Sequence, residues 1–418
     1  MPTTLPPNQP ENPSVPSSSP DGTSGPRVPL YSPEFSSDPH RIYREMRDRY
    51  GSLVPVDLAP GVPATLVIGY HQALRILNDP DHFPADPRLW EKNVPGDCPV
   101  PPILRWRPTA LHSDGAEHAR YRQATSASLA GVDLHAMHST VERIAGSLIN
   151  VFCETGSADL ISQYAFPLAF AVVNDMVGCS AQIGQQVAAG MAAFFEGVDA
   201  KEGLEVFTEA LSELVVLKRA HPGDDVTTRL LHQPADLDDM EVVQQVANLY
   251  AGNIELQQNL ITNTLLLILT DDRFAGGVLS GCLQTRDALD ELLFNDPPLA
   301  NHCPSYPRRP ILIDDIWLPA HQPVIISIAG CNNDPAVNTG AHAGNRSHLA
   351  WGAGPHSCPA QTMATLIAQD AVDQLLDVLP EIRLAVPTAQ LTWRPGPFHR
   401  ALTSLPVIFP AASPLNGG

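Results

Sequence analysis

A chain of 418 residues, 44% apolar, has material for a sizeable core arranged as one large domain or two. Its formal charge of -20 argues against nucleic acid or an anionic membrane as the main partner, and no run approaches the roughly 18 apolar residues of a membrane span. The seven cysteines (Cys98, Cys153, Cys179, Cys282, Cys303, Cys331 and Cys358) are scattered, with no Cys-x-x-Cys, so neither a disulfide framework nor a zinc ribbon is expected and the reducing cytoplasm is the natural compartment.

Residues 1–29 hold nine prolines among Ser, Thr and Asn, too little apolar surface to fold, and read as a disordered tail. They also lack the charged-then-apolar order of a secretion signal. Residues 30–412 read as the folded domain and 413–418 as a short C-terminal tail. Order is expected to become regular at Asp38-Pro39-His40, an N-cap and helix start leading into Ile42, Tyr43, Met46 and Tyr50. Two strand-like runs follow, Leu53–Val56 and Thr65–Ile68, split by Pro60-Gly61, then a helix over His71–Asn78. Residues 79–108 are proline-rich and weakly periodic. In the next helix, His118 and Arg122 lie four apart and share a face, a cationic pair suited to a carboxylate. From Leu134 to Leu231 the pattern is helical, with breaks expected at Gly156, Gly184 and His221–Asp225.

Glu241 to Leu269 reads as one long helix, polar at its start and apolar at its end. Four polar residues, Asn253, Glu255, Gln257 and Gln258, interrupt the part that is expected to be buried. Glu255 either acts as a proton donor, if burial raises its pKa, or pairs with a basic side chain and only holds the helix. A further helix spans Asp287 to the Pro297-Pro298 pair, and Ile311–Ile313 and Val324–Ile328 read as strands.

Near the end comes Trp351-Gly352-Ala353-Gly354-Pro355-His356-Ser357-Cys358-Pro359-Ala360. Two glycines and a proline make a tight loop, and helical periodicity resumes after it at Met363, Leu366, Ile367 and Val372. With Pro359 as a first helical residue, Cys358 falls at the N-cap, where free N–H groups and the helix dipole favour thiolate. Such a thiolate is a good axial ligand for haem iron. A buried structural cysteine, or a zinc site of His348, His356 and Cys358, is the alternative reading of these residues.

The order Trp-Gly-x-Gly-x-His-x-Cys resembles the haem-binding loop of the cytochrome P-450 superfamily. The resemblance implies a mainly α fold with small β-sheets in a single large domain, and haem b with Cys358 as its iron ligand. Trp351 would cover the proximal face of the ring, and Gly352 and Gly354 would let the backbone pass close to it. His356, His118 and Arg122 would reach the propionates. The central helix matches the family's small pair with Ala251 and Gly252, but Ile254 and Glu255 stand at the positions of its acid and alcohol. Glu255 and Asn253 are therefore the candidates for proton handling. Glu291 is present without its usual arginine, which Phe294 replaces, so either a different cation, such as Arg308 or Arg309, is expected to move in or Glu291 is expected to be solvent-exposed. Ser305 stands near the place of a second lost arginine, which in the family binds a propionate. Trp90, Val94 and Trp106 become pocket candidates, and Met191, Phe194 and Phe195 fall on the lid. The run Leu391–Leu402 resembles a C-terminal hairpin whose tip reaches the substrate.

No flavin or nicotinamide fingerprint is present, so electrons are expected from a ferredoxin and its reductase, with the chain itself a monomer. The altered relay and missing arginine resemble a branch of actinobacterial members, some of which join aromatic side chains in very short peptides. Aromatic coupling in a small peptide or specialised metabolite is the expected reaction. Hydroxylation of a small apolar molecule is the alternative, and a catalytically silent haem-binding partner is an alternative of another class.

Overall fold

Asp38 accepts a hydrogen bond from the Arg41 amide (3.0 Å) and starts the helix Pro39–Tyr50, as its place before a proline predicts. This computed structural model describes residues 26–96, 98–196, 200–275, 284–338, 340 and 344–415. Order begins earlier than the sequence suggests. Val28–Pro29, the end of the expected tail, pairs in parallel with Val56 and Asp57. Residues 1–25 lie outside the described residues. The two runs after the first long helix form the antiparallel strands Leu53–Asp57 and Pro63–Val67. Val324–Ser327 then pairs in parallel with the second of them. Asn301–Ser305, a strand not read from the sequence, closes this five-stranded sheet at its far edge. Its register shifts between His302 and Ser305, where Cys303 takes a positive φ of 52°, and this irregularity hid it.

The helices form the larger layer. Leu134–Phe152, Phe166–Met176, the central helix Asp239–Thr270 and the late helix Gln361–Val378 share one apolar core that includes Val141, Ile149, Val172, Leu260, Ile261, Ala368 and Val372. The break expected at Gly184 does not occur, since that residue lies inside the helix Ala181–Glu196. The turn at residues 221–225 does, ending in Asp225, which caps Val226–Leu231 and pairs with Lys218 at 2.7 Å. Met191 is buried in the main core; the side chains of Phe194 and Phe195 lie outside those described. No described helix is long and apolar enough to cross a membrane.

One clamp sets the site's geometry. Glu241, the third residue of the central helix, closes a capping box with Asp238. It also receives both guanidinium nitrogens of Arg120 at 2.6 and 2.7 Å and the Tyr121 hydroxyl at 2.8 Å. The Arg120 pair holds the Glu241 carboxyl down to about 2. The clamp fixes the helix Gly115–Ala130, which carries His118 and Arg122, against the start of the central helix. Gln257 reaches the other way and donates to the Ala364 carbonyl at 3.0 Å, tying the central helix to the one after the cysteine loop.

Candidate active site around Cys358

The cysteine loop is held by its own backbone. The Cys358 amide donates to the Trp351 carbonyl at 2.7 Å, and the Gly352 amide to Leu349 at 2.8 Å. Gly352 and Gly354 both have positive φ, 68° and 67°. A side chain at 354 would run into the Leu77 carbonyl, so this glycine serves close approach to the protein backbone. Trp351 is half-buried against the helical core.

Cys358 is not an N-cap. The helix begins at Gln361 with Ala360 as its cap, and Pro359 lies in the turn before it. Burial pushes the Cys358 thiol up, opposed by the Ala360 amide and by the charge of Arg122. The dipole advantage expected at a cap is thus weakened, and the sulfur relies on that amide and on Arg122. Arg122 donates to the Ser357 carbonyl beside the cysteine. His118 and His356 lie with ring centres 4.2 Å apart. Burial pushes His356 down to about 4, and lowers His118 with help from Arg122. Of the expected cationic pair, Arg122 keeps its charge, while burial and Arg122 itself work against a charge on His118.

The zinc alternative is not supported. Among the described residues no group of three His, Cys, Asp or Glu is placed to hold a metal ion, and His348 packs edge-on against Phe294.

The central helix is buried along much of its length but exposed at Ala251 and Gly252, with nothing within 4 Å of a Cβ built on Gly252. Glu255, one turn on, shares that face. Asn253 does not. Two residues apart means about 200° around a helix, and Asn253 donates to the Leu249 carbonyl while lining a cavity with Val172, Met176 and Ile367. It is withdrawn from the reacting side. Glu255 takes an ion pair from Arg394 of the C-terminal run, and His399 Nδ1 lies 3.8 Å from the same oxygen. Neither contact was read from the sequence, because Arg394 and Glu255 are 139 residues apart.

Trp90 is a core residue, buried and 5.6 Å from the Tyr306 ring, and Val94 packs on the same cluster. The Trp106 ring lies under Arg88, 5.0 Å away. Glu291 receives Arg273 at 3.3 Å and Asn295 at 2.8 Å, so a different cation has indeed moved in. It is neither Arg308, which pairs with Asp114, nor Arg309, which lies at His82.

The residues fit an anionic, iron-bearing group: Cys358 offers a sulfur with an amide donor, Arg122 lies beside it, and the central helix is free of side chains at Gly252. His118 Nε2, on the helix that carries Arg122, is a buried polar atom without a partner.

Comparison with known proteins agrees. No family model matches the chain. It is 25% identical over 393 residues to cytochrome P-450 107B1 of Saccharopolyspora erythraea, covering 89% of this chain and 95% of that one. With cytochrome P-450 105A3 of Streptomyces carbophilus the identity is 27% over 398 residues, covering 90% and 95%. The solved P-450 monooxygenase TamI superposes with a TM-score of 0.79 at 25% identity, covering 92% of this chain and 94% of that one. The chain belongs to the cytochrome P-450 superfamily. Haem b is accordingly the cofactor of this P-450, and oxidation of a small molecule its general activity. Ile254 and Glu255 stand where the resemblance puts the family's acid and alcohol, and Glu291 pairs with Arg273, which precedes its helix.

Proposed function

We propose that this P-450 is an oxidative tailoring enzyme that joins two aromatic rings within a short peptide or related specialised metabolite. The observation that carries the proposal is the polar reacting wall. Glu255 stands one turn from the Ala251–Gly252 gap, with Arg394 and His399 facing it. A wall of this kind suits a substrate rich in polar groups better than a small apolar molecule, which would desolvate the charges without pairing them.

In this reading Cys358 ligates the iron, Trp351 covers the proximal face, and Arg122, His118 and His356 hold the propionates. Haem b on a thiolate supplies hydrogen abstraction from the bound substrate. The chain's own residues do the rest. Ala251 and Gly252 leave room for a small oxidant, and Glu255 handles protons at that face with His399 beside it. Each turnover removes two hydrogens from the substrate and forms one bond between its rings. Dioxygen leaves as two waters, with two electrons from a ferredoxin and its reductase and two protons delivered through the protein.

Hydroxylation is the second reading, favoured by the monooxygenase name of TamI. The test is product mass from the holoenzyme with ferredoxin, reductase and a panel of short Tyr-, His- and Trp-containing peptides. A product lighter by two hydrogens supports coupling. One heavier by an oxygen atom overturns it in favour of hydroxylation, and no reductant consumption with any substrate indicates a silent haem protein.

A further inference from the structure

We propose that Arg394 is an anchor for a substrate carboxylate, and that the internal Glu255 carboxylate occupies this anchor until the substrate displaces it. The inference rests on the reading of a short peptide substrate and names the group by which such a substrate is held, its free C-terminus.

The neighbouring arginine shows why Arg394 stands out. Arg400 is committed to the fold: it pairs with Asp296 at 3.0 Å, donates to the Ser36 carbonyl and covers the Trp393 ring at 3.4 Å, and its side chain is 11% exposed. The Arg394 backbone is equally fixed, its amide donating to Ala401 at 2.8 Å, beside the Trp393–Leu402 bridge. Its guanidinium, by contrast, is 44% exposed and reaches across to Glu255 on the exposed face of the central helix. An ion pair with one partner this exposed is weak, because the guanidinium keeps much of its hydration while Glu255 is 18% exposed. Breaking the internal pair therefore costs little, the planar fork accepts a second carboxylate in the same geometry, and a substrate that shields the new pair from water gains more from it than the internal pair loses. Arg394 and His399 also line a small cavity with Tyr43, Asn301 and Trp393.

The test is optical titration of the haem-loaded enzyme with tyrosyl-tyrosine and with its C-terminal amide, and, as a second arm, with decanoic acid and decanamide. Wild type should bind the acid of a pair at least about tenfold more tightly than the amide, the loss of one charge-assisted hydrogen bond. Arg394→Gln should make acid and amide equal. Glu255→Gln should bind the acid more tightly than wild type and leave the amide unchanged, because the internal competitor is gone; a merely structural pair would not do this. Haem content equal to wild type shows that each variant is folded. If wild type binds acid and amide of both pairs equally, or Glu255→Gln weakens the acid, the anchor is overturned. If the peptides bind equally well in both forms and the fatty acid shows no Arg394 dependence either, the peptide substrate survives and the anchor falls. If only the fatty acid shows the Arg394 dependence, the anchor stands and the peptide reading falls.

Discussion

Gly354 and His348 show how single residues hold the cysteine loop. Gly354 combines a left-handed φ of 67° with a backbone neighbour at Leu77, so its two constraints are independent and both exclude a side chain. His348 is buried, and its Nδ1 accepts the Ala350 amide at 3.3 Å, which needs a neutral ring. Burial is the main cause that pushes it down to about 4. Asp290 opposes this, and Arg286 and Arg346 assist it. The unfolded chain takes up this proton near pH 6.5, so the folded state is favoured fully above that value and loses the advantage as pH falls towards 4. His348→Gln, which keeps an acceptor for Ala350, should flatten the fall in stability over that window by up to one proton's slope, about 1.4 kcal/mol per pH unit. Urea denaturation of both proteins at pH 7 and pH 5 measures this; parallel losses in the two would contradict it.

At the scale of elements, the helix Thr285–Asn295 keeps its carboxylate but has changed its cation. Glu291 is 10% exposed while Arg273, donating from the helix Asp272–Ala275, is 59% exposed and shared with Asp271. Such a pair contributes little, and Arg273→Ala should lower stability by about 1 kcal/mol. Arg308→Ala should leave Glu291 untouched, because Arg308 belongs to Asp114. A denaturation series with Glu291→Gln as the second member of each cycle checks this; coupling to Arg308 and none to Arg273 would reverse the assignment. The sequence implied that another cation replaces the arginine missing at Phe294 or that Glu291 is exposed, because a buried unpaired carboxylate is costly, and the structure shows the first. The sequence could not say which cation, since that depends on how a separate helix packs. The same limit hid Arg394 from Glu255 and the Asn301–Ser305 strand from its neighbours. What local pattern encodes was legible: the Asp38 cap, the paired strands after it, the central helix and the glycine loop. Helical phase alone would have removed Asn253, since it and Glu255 cannot face the same wall.

Over the whole molecule, those local pieces converge through a few long-range ties. Glu241 binds the helix of His118 and Arg122 to the central helix, Gln257 binds the central helix to the one after Cys358, and Asn263 donates to the Arg400 carbonyl at 2.8 Å. They tie the helices around the cysteine loop together, and haem-thiolate chemistry follows only if Cys358 is the sulfur that meets the iron. The reduced carbon monoxide complex of Cys358→Ala tests this most directly, because its red-shifted Soret band requires a thiolate ligand. Purified wild type should show the band, and the variant should lack it even when haem is supplied in excess. A variant that keeps the red-shifted band would mean that another group ligates the iron, contradicting the assignment of the site.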